Sequence, residues 1–162
     1  TREEEKIDLR RKAWNFNPES QYSKAIVKTT AGTIIMELYP HRAPISVSNF
    51  IELAQDGFYN NKTFHRVVSN FVVQTGCNIG DGYGTLDYTI SSELANAYYD
   101  DPGMVGLASA GFHTESAQWF INMRATPHLN ERYTIFARVI SGLQVVHQLK
   151  IGDKISSIEL IQ

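Results

Sequence analysis

A chain of 162 residues, 43% apolar and 20% charged, is one domain by length and can bury a core without staples. A net charge of -2 and a pI near 6.2 exclude a nucleic-acid binder held by a basic surface. The single cysteine, Cys77, excludes an intrachain disulfide and any cysteine-based metal site, and no apolar run approaches the roughly 18 residues of a membrane-spanning helix.

Residues 1–22 read as an extension separate from the rest. Glu3, Glu4 and Glu5 precede Arg10, Arg11 and Lys12, an order that suits the dipole of a short helix. Its apolar residues are few, and Asn15 to Ser20, with Pro18, reads as a breaker and linker. The segment is expected to pack on the main domain through Trp14 or Phe16; the competing reading is a tether from a lost upstream domain. Because the chain starts at Thr1, a signal, tag or domain is expected to have been removed. That leaves the compartment open between cytoplasm and export.

From Lys24 the pattern turns to strands. Ala25 to Thr29 is β-rich, Ala31-Gly32 supplies a turn, and Ile34, Met36 and Leu38 alternate on one face. Pro40 ends the hairpin. Pro44 sits where a first helical turn tolerates it, and Val47, Phe50, Ile51 and Ala54 follow at helical spacing, with Gly57 as the cap. A helix over about Pro44 to Asp56 is therefore predicted.

Phe64 to Gln74 follows as two strand pieces around Ser69-Asn70. Alternation places Phe64, Arg66 and Val68 on one face and Phe71 with Val73 on another. A guanidinium among so many apolar residues is costly unless paired or functional; the alternative is an arginine snorkelling from a strand edge. Gly80-Asp81-Gly82-Tyr83-Gly84 has the wrong spacing for a dinucleotide fingerprint and reads as a mobile loop. Short strands are predicted at Tyr88–Ile90, Met104–Ala108, Gln118–Asn122, Tyr133–Ile140 and Lys154–Ile161. Ser141 is expected to cap a second helix carrying Leu143, Val146 and Leu149 and ended by Gly152. Seven or eight strands with so few helices between them predict an antiparallel sheet, closed as a barrel with helices plugging its ends.

The chemistry is sparse. His41, His65, His113, His128 and His147 form no metal-ligand spacing. Ser109 lacks the leading glycine of a nucleophile elbow, and Cys77 in a glycine-rich stretch reads as incidental. One glycosylation sequon, Asn61-Lys62-Thr63, reads as chance. What remains is Arg66, Gln74 and Gln118 among the aromatics Phe71, Phe120 and Tyr133. An apolar wall with a few placed donors is the composition of a binding pocket; the alternative is a core with polar residues at strand edges.

Phe64-His65-Arg66-Val67-Val68 followed by Phe71-Val72-Val73-Gln74-Thr75-Gly76 resembles the first signature of cyclophilins. Ala108-Ser109-Ala110-Gly111 with Ser116-Ala117-Gln118-Trp119-Phe120-Ile121 resembles their second, and Leu129 with Tyr133-Thr134-Ile135-Phe136 their third. The resemblance covers about Lys24 to Gln162. It implies an eight-stranded, closed antiparallel β-barrel capped by two α-helices, in a domain over 23–162. It also implies peptidyl-prolyl cis–trans isomerase activity on unfolded or flexible chains, assisting folding, by a monomer without cofactor or metal. Arg66 would be catalytic. Phe71, Val72, Phe120 and Leu129 would line the proline pocket, Gln74 and Gln118 would bind substrate backbone, and Ala108, Ser109 and Ala110 would form the adjoining groove. His128 stands where many eukaryotic members carry tryptophan, and Tyr133 where they carry histidine; both rings can still wall the pocket. Val72 replaces a commoner methionine or leucine. Since that tryptophan contributes to cyclosporin binding in the family, weak cyclosporin affinity is expected. The rival reading is a proline-peptide binding module with incidental catalysis, and a barrel without a ligand is a third.

Overall fold

The computed structural model describes residues 22–77, 89–94, 98–109, 111 and 115–162. The expected N-terminal helix and linker, residues 78–88 of the glycine-rich stretch with Tyr88, and also Ala110 and His113, lie outside the described residues. The strands are β1 (Lys24–Thr29), β2 (Gly32–Leu38), β3 (Arg66–Val68), β4 (Val72–Thr75), β5 (Met104–Leu107), β6 (Trp119–Asn122), β7 (Ile135–Ser141) and β8 (Ile155–Ile161). Among the described residues two α-helices, α1 (Pro44–Gln55) and α2 (Leu143–Gln148), accompany them. No helix among the described residues is long and apolar enough to cross a membrane.

The strands form one sheet in the order β3-β4-β6-β5-β7-β2-β1-β8, and every neighbouring pair is antiparallel. This is the mainly β, two-helix architecture expected. The seam between β3 and β8 is the thin part. There, among the described residues, an isolated bridge pairs Thr63 with Lys154. Backbone bonds from Asn61 N–H to the Ile155 carbonyl (2.8 Å) and from Phe64 N–H to the Asp153 carbonyl (2.8 Å) support it.

Strand alternation sorts the side chains into two layers. One cross-strand row runs Val67, Val73, Ile121, Val105, Ala137 and turns inward, where Ile34, Met36 and Leu38 of β2 also lie buried. Trp119 fills the centre with no exposed surface. Phe50, Tyr59 and Phe64 meet it edge-on at 6.1, 6.1 and 6.4 Å between ring centroids, the geometry favoured by aromatic quadrupoles.

Helix α1 buries Val47, Phe50, Ile51 and Ala54 as its spacing predicts. It ends in a Schellman pair, Gly57 N–H to the Ala54 carbonyl and Phe58 N–H to the Leu53 carbonyl, with Gly57 at φ +73. Its N-terminus has no cap of its own. Glu93, 47 residues along the chain, supplies one: its carboxylate accepts from Ser46 N–H (2.7 Å), Ser46 Oγ (2.8 Å) and Ile45 N–H (3.2 Å). An acceptor with a negative charge at that end satisfies orphan donors and complements the dipole. Glu93→Ala is expected to lower the unfolding free energy by about 1–2 kcal/mol; an unchanged urea midpoint would contradict this.

Three local expectations are corrected. Phe64 does not share a face with Arg66 and Val68: it precedes β3 and is fully buried, whereas Arg66 and Val68 are exposed. Phe71 does not share a face with Val73 either. It sits in the turn after Asn70, whose φ is +59, and packs outside the barrel while Val73 packs inside. Ser141 ends β7 and does not cap α2; the cap position is Gly142, with φ +92 and no side-chain hydrogen bond. A Cβ at Gly142 would strike the carbonyl oxygen of Thr33, so glycine is required by both conformation and space.

Candidate active site

The second cross-strand row faces outward. It reads Arg66, Gln74, Phe120, Gly106, Ile135 across five adjacent strands. Outward does not mean solvated here. A second hydrophobic cluster of Val72, Tyr99, Met104, Phe120 and Ile135 covers this part of the barrel, flanked by half-buried Phe71, Ala108, Leu129 and Tyr133. A groove of about 550 Å³ opens above it, lined by His65, Arg66, Phe71, Val72, Gln74, Ala108, Ser109, Phe120, Leu129 and Tyr133. No carboxylate is among those residues.

The donors sit along one side. Gln74 Nε2 donates to Gln118 Oε1 at 2.9 Å, which leaves the Gln74 oxygen turned toward Arg66. Arg66 Nη1 reaches that oxygen at 3.5 Å, the outer limit of a hydrogen bond. Arg66 is exposed on the sheet-edge strand β3, as the snorkelling alternative supposes, yet it also lines the groove. Its guanidinium escapes most of the desolvation penalty that burial would impose.

The apolar side is built from rings and one short turn. Tyr133 meets Phe120 edge-on at 5.7 Å and 88°. A 3-10 turn, Pro127–Leu129, delivers Leu129 into the groove and leaves His128 on its rim. There His128 stacks on Phe71 at 5.6 Å and 25°. Of the residues expected at the site, then, Arg66, Phe71, Val72, Gln74, Ala108, Ser109, Phe120, Leu129 and Tyr133 come together. Gln118 stands one hydrogen bond behind, and His128 holds the rim without lining the groove.

Sequence reasoning missed three contributors. His65 lines the groove. Buried Asn122 accepts from Met104 N–H (2.6 Å) and donates to the Asp101 carbonyl (2.9 Å) and Thr126 Oγ1 (3.2 Å). It thereby ties β6 to the start of β5 and to the residue before the Pro127–Leu129 turn. Tyr99 lies fully buried beneath Phe120, their rings stacked at 5.7 Å and 20°. Burial, with smaller contributions from Tyr133 and Glu115, pushes its hydroxyl well above the usual tyrosine range. The hydroxyl thus stays a neutral donor, and it donates a hydrogen bond to the Tyr133 carbonyl at 3.1 Å. Tyr99 falls in a stretch without periodicity, so no sequence signal marked it.

Residues 24–159 match the family model described as cyclophilin type peptidyl-prolyl cis-trans isomerase/CLD. The chain belongs to the cyclophilin family. It is 41% identical over 137 residues to a peptidyl-prolyl cis-trans isomerase of Helicobacter pylori, covering 83% of this chain and 84% of that one. It is likewise 41% identical over 128 residues to peptidyl-prolyl cis-trans isomerase B of Bacillus subtilis, covering 78% and 90%. Similarity to peptidyl-prolyl cis-trans isomerase 9 of Schizosaccharomyces pombe is 41% over 133 residues, where this chain spans only 22% of the relative's length. Among solved structures, a cyclophilin type isomerase of Cryptosporidium parvum superposes with a TM-score of 0.82 at 26% identity, covering 87% of this chain and 98% of that one. The same parasite protein has been crystallised in the presence of the dipeptide Ala-Pro. In this cyclophilin described residues from each of the three signature stretches line the groove.

Proposed function

We propose that this cyclophilin is a peptidyl-prolyl cis–trans isomerase that binds proline-containing segments of unfolded or flexible chains in the groove and so assists folding. The observation that carries the reading is a line of donors, Arg66–Gln74–Gln118, beside a floor of Phe120 and walls of Phe71, Leu129 and Tyr133. Rotation about an X–Pro bond faces about 18–20 kcal/mol and takes about 10–100 s unaided. No bond is broken, so neither nucleophile nor cofactor is needed. In the twisted state amide conjugation is lost and the prolyl nitrogen becomes a pyramidal acceptor. A guanidinium donating to that nitrogen stabilises the twisted state over both planar isomers, as catalysis requires. Phe71, Val72, Phe120 and Leu129 hold the ring and exclude water. Gln74 orients Arg66, Gln118 fixes Gln74, and both amides can bind substrate backbone. Ala108, Ser109 and Ala110 would take residues before the proline. A ten-thousandfold acceleration asks for only about 5.5 kcal/mol, of which one charged hydrogen bond supplies roughly 1.5–3.

The match over 24–159 supports an isomerase domain at 23–162 with residues 1–22 as an extension. A protease-coupled assay on an X–Pro peptide tests the activity: the native protein should accelerate the slow phase. Binding of proline peptides with no acceleration would instead favour the binding-module reading. His128, stacked on Phe71 at the rim, offers less ring surface than tryptophan would. Weak cyclosporin binding is therefore expected by calorimetry, and a nanomolar complex would contradict it.

A further inference from the structure

We propose that Tyr99 is a positioning residue that sets the depth of the groove floor, and so makes the site selective for a five-membered prolyl ring over larger cyclic imino acids. The inference rests on the isomerase reading of the groove. Tyr99 lines no part of that groove; it acts through Phe120, against which it is stacked from below at 5.7 Å.

Gly106 makes the arrangement possible. It is the cross-strand partner of Phe120, and a Cβ placed there would run into the Tyr99 hydroxyl and come within 2.8 Å of Phe120 Cζ. The tyrosine therefore occupies the space that a side chain at position 106 would take. Its ends are pinned to segments that form the groove. Tyr99 N–H donates to Asn130 Oδ1 (2.6 Å), next to Leu129. Its carbonyl accepts from Thr126 N–H (2.7 Å), just before the Pro127–Leu129 turn. Its hydroxyl is fixed to the Tyr133 carbonyl (3.1 Å). A floor ring resting on a plate tied at three points cannot sink without opening a void, which close-packed interiors resist. Depth is thus fixed from underneath.

One methylene in an apolar pocket discriminates by about 10–200-fold. The test compares kcat/KM for two peptides alike except for proline or its six-membered homologue, pipecolic acid, at the reacting position. In Tyr99→Leu the preference for proline should fall at least about tenfold, because Phe120 can drop into the vacated space. Tyr99→Phe, which keeps the ring, should hold the native preference within about twofold. A filler role alone would lower stability and leave the preference unmoved, and that result overturns the inference. Gly106→Ala reads the same device in reverse if Tyr99→Leu does not fold. Its methyl should lift Phe120 and raise KM for the prolyl peptide about tenfold; an unchanged KM overturns the inference. A native protein that isomerises neither peptide would bring down the isomerase reading as well. Native activity with an unmoved preference would bring down this inference alone.

Discussion

Arg66→Ala is expected to lower kcat/KM for an X–Pro peptide about a hundredfold, which corresponds to ~2.7 kcal/mol of lost transition-state stabilisation. That figure lies within the roughly 1.5–3 kcal/mol of a hydrogen bond to a charged group. Most of the loss should fall on kcat, because the prolyl nitrogen accepts a bond only once the amide is twisted. A change confined to KM would mean that Arg66 binds both planar isomers and the twisted state alike. Arg66→Lys should recover little. Lysine carries its charge on a flexible stem without the planar fork, and the Gln74 oxygen at 3.5 Å could not align a single ammonium as it aligns a guanidinium. Since Arg66 is exposed at a sheet edge, the variant should fold normally. That separates the catalytic loss from any loss of structure.

Trp119→Ala is expected to produce the largest loss of stability, about 3–5 kcal/mol against a total of about 5–15 for a domain of this kind. Trp119 has no exposed surface, and Phe50, Tyr59 and Phe64 all meet its ring edge-on. Those partners come from α1, the loop after it and the chain before β3, so one cavity would loosen elements far apart in sequence. Urea unfolding gives the number directly, and a loss below about 1 kcal/mol would contradict the packing account. The next residue, Phe120, faces the groove. Relaxation around the cavity should therefore also weaken peptide binding.

Much of the fold is legible in the sequence because its periodicities are strong. Ile34, Met36 and Leu38 alternate, and Val47, Phe50, Ile51 and Ala54 recur at helical spacing; all seven lie buried where expected. The site is legible mainly through its signatures. Strand alternation alone put Phe64 beside Arg66 and Phe71 beside Val73, and both placements fail because the chain turns at positions that alternation does not mark. Asn70 at φ +59 resets the phase before Phe71. Tyr99, Asn122 and Glu93 were invisible for another reason. Each acts through partners distant in the chain: Glu93 caps a helix 47 residues away, and Tyr99 reaches Tyr133 across 34. Contacts of that range arise from sheet register and loop closure, which local pattern does not encode. Ser141 failed as a cap because Gly142 meets the Thr33 carbonyl at a spacing only glycine fits.

The central claim is that the groove twists a prolyl bond and does not merely hold it. Two-dimensional exchange NMR on an X–Pro peptide, with the protein well below the peptide concentration, addresses both halves at once. The account predicts cis–trans exchange cross-peaks with the native protein and their loss with Arg66→Ala, while both proteins still shift the peptide resonances. Shifted resonances without exchange peaks from the native protein, or equal exchange from both, would contradict it.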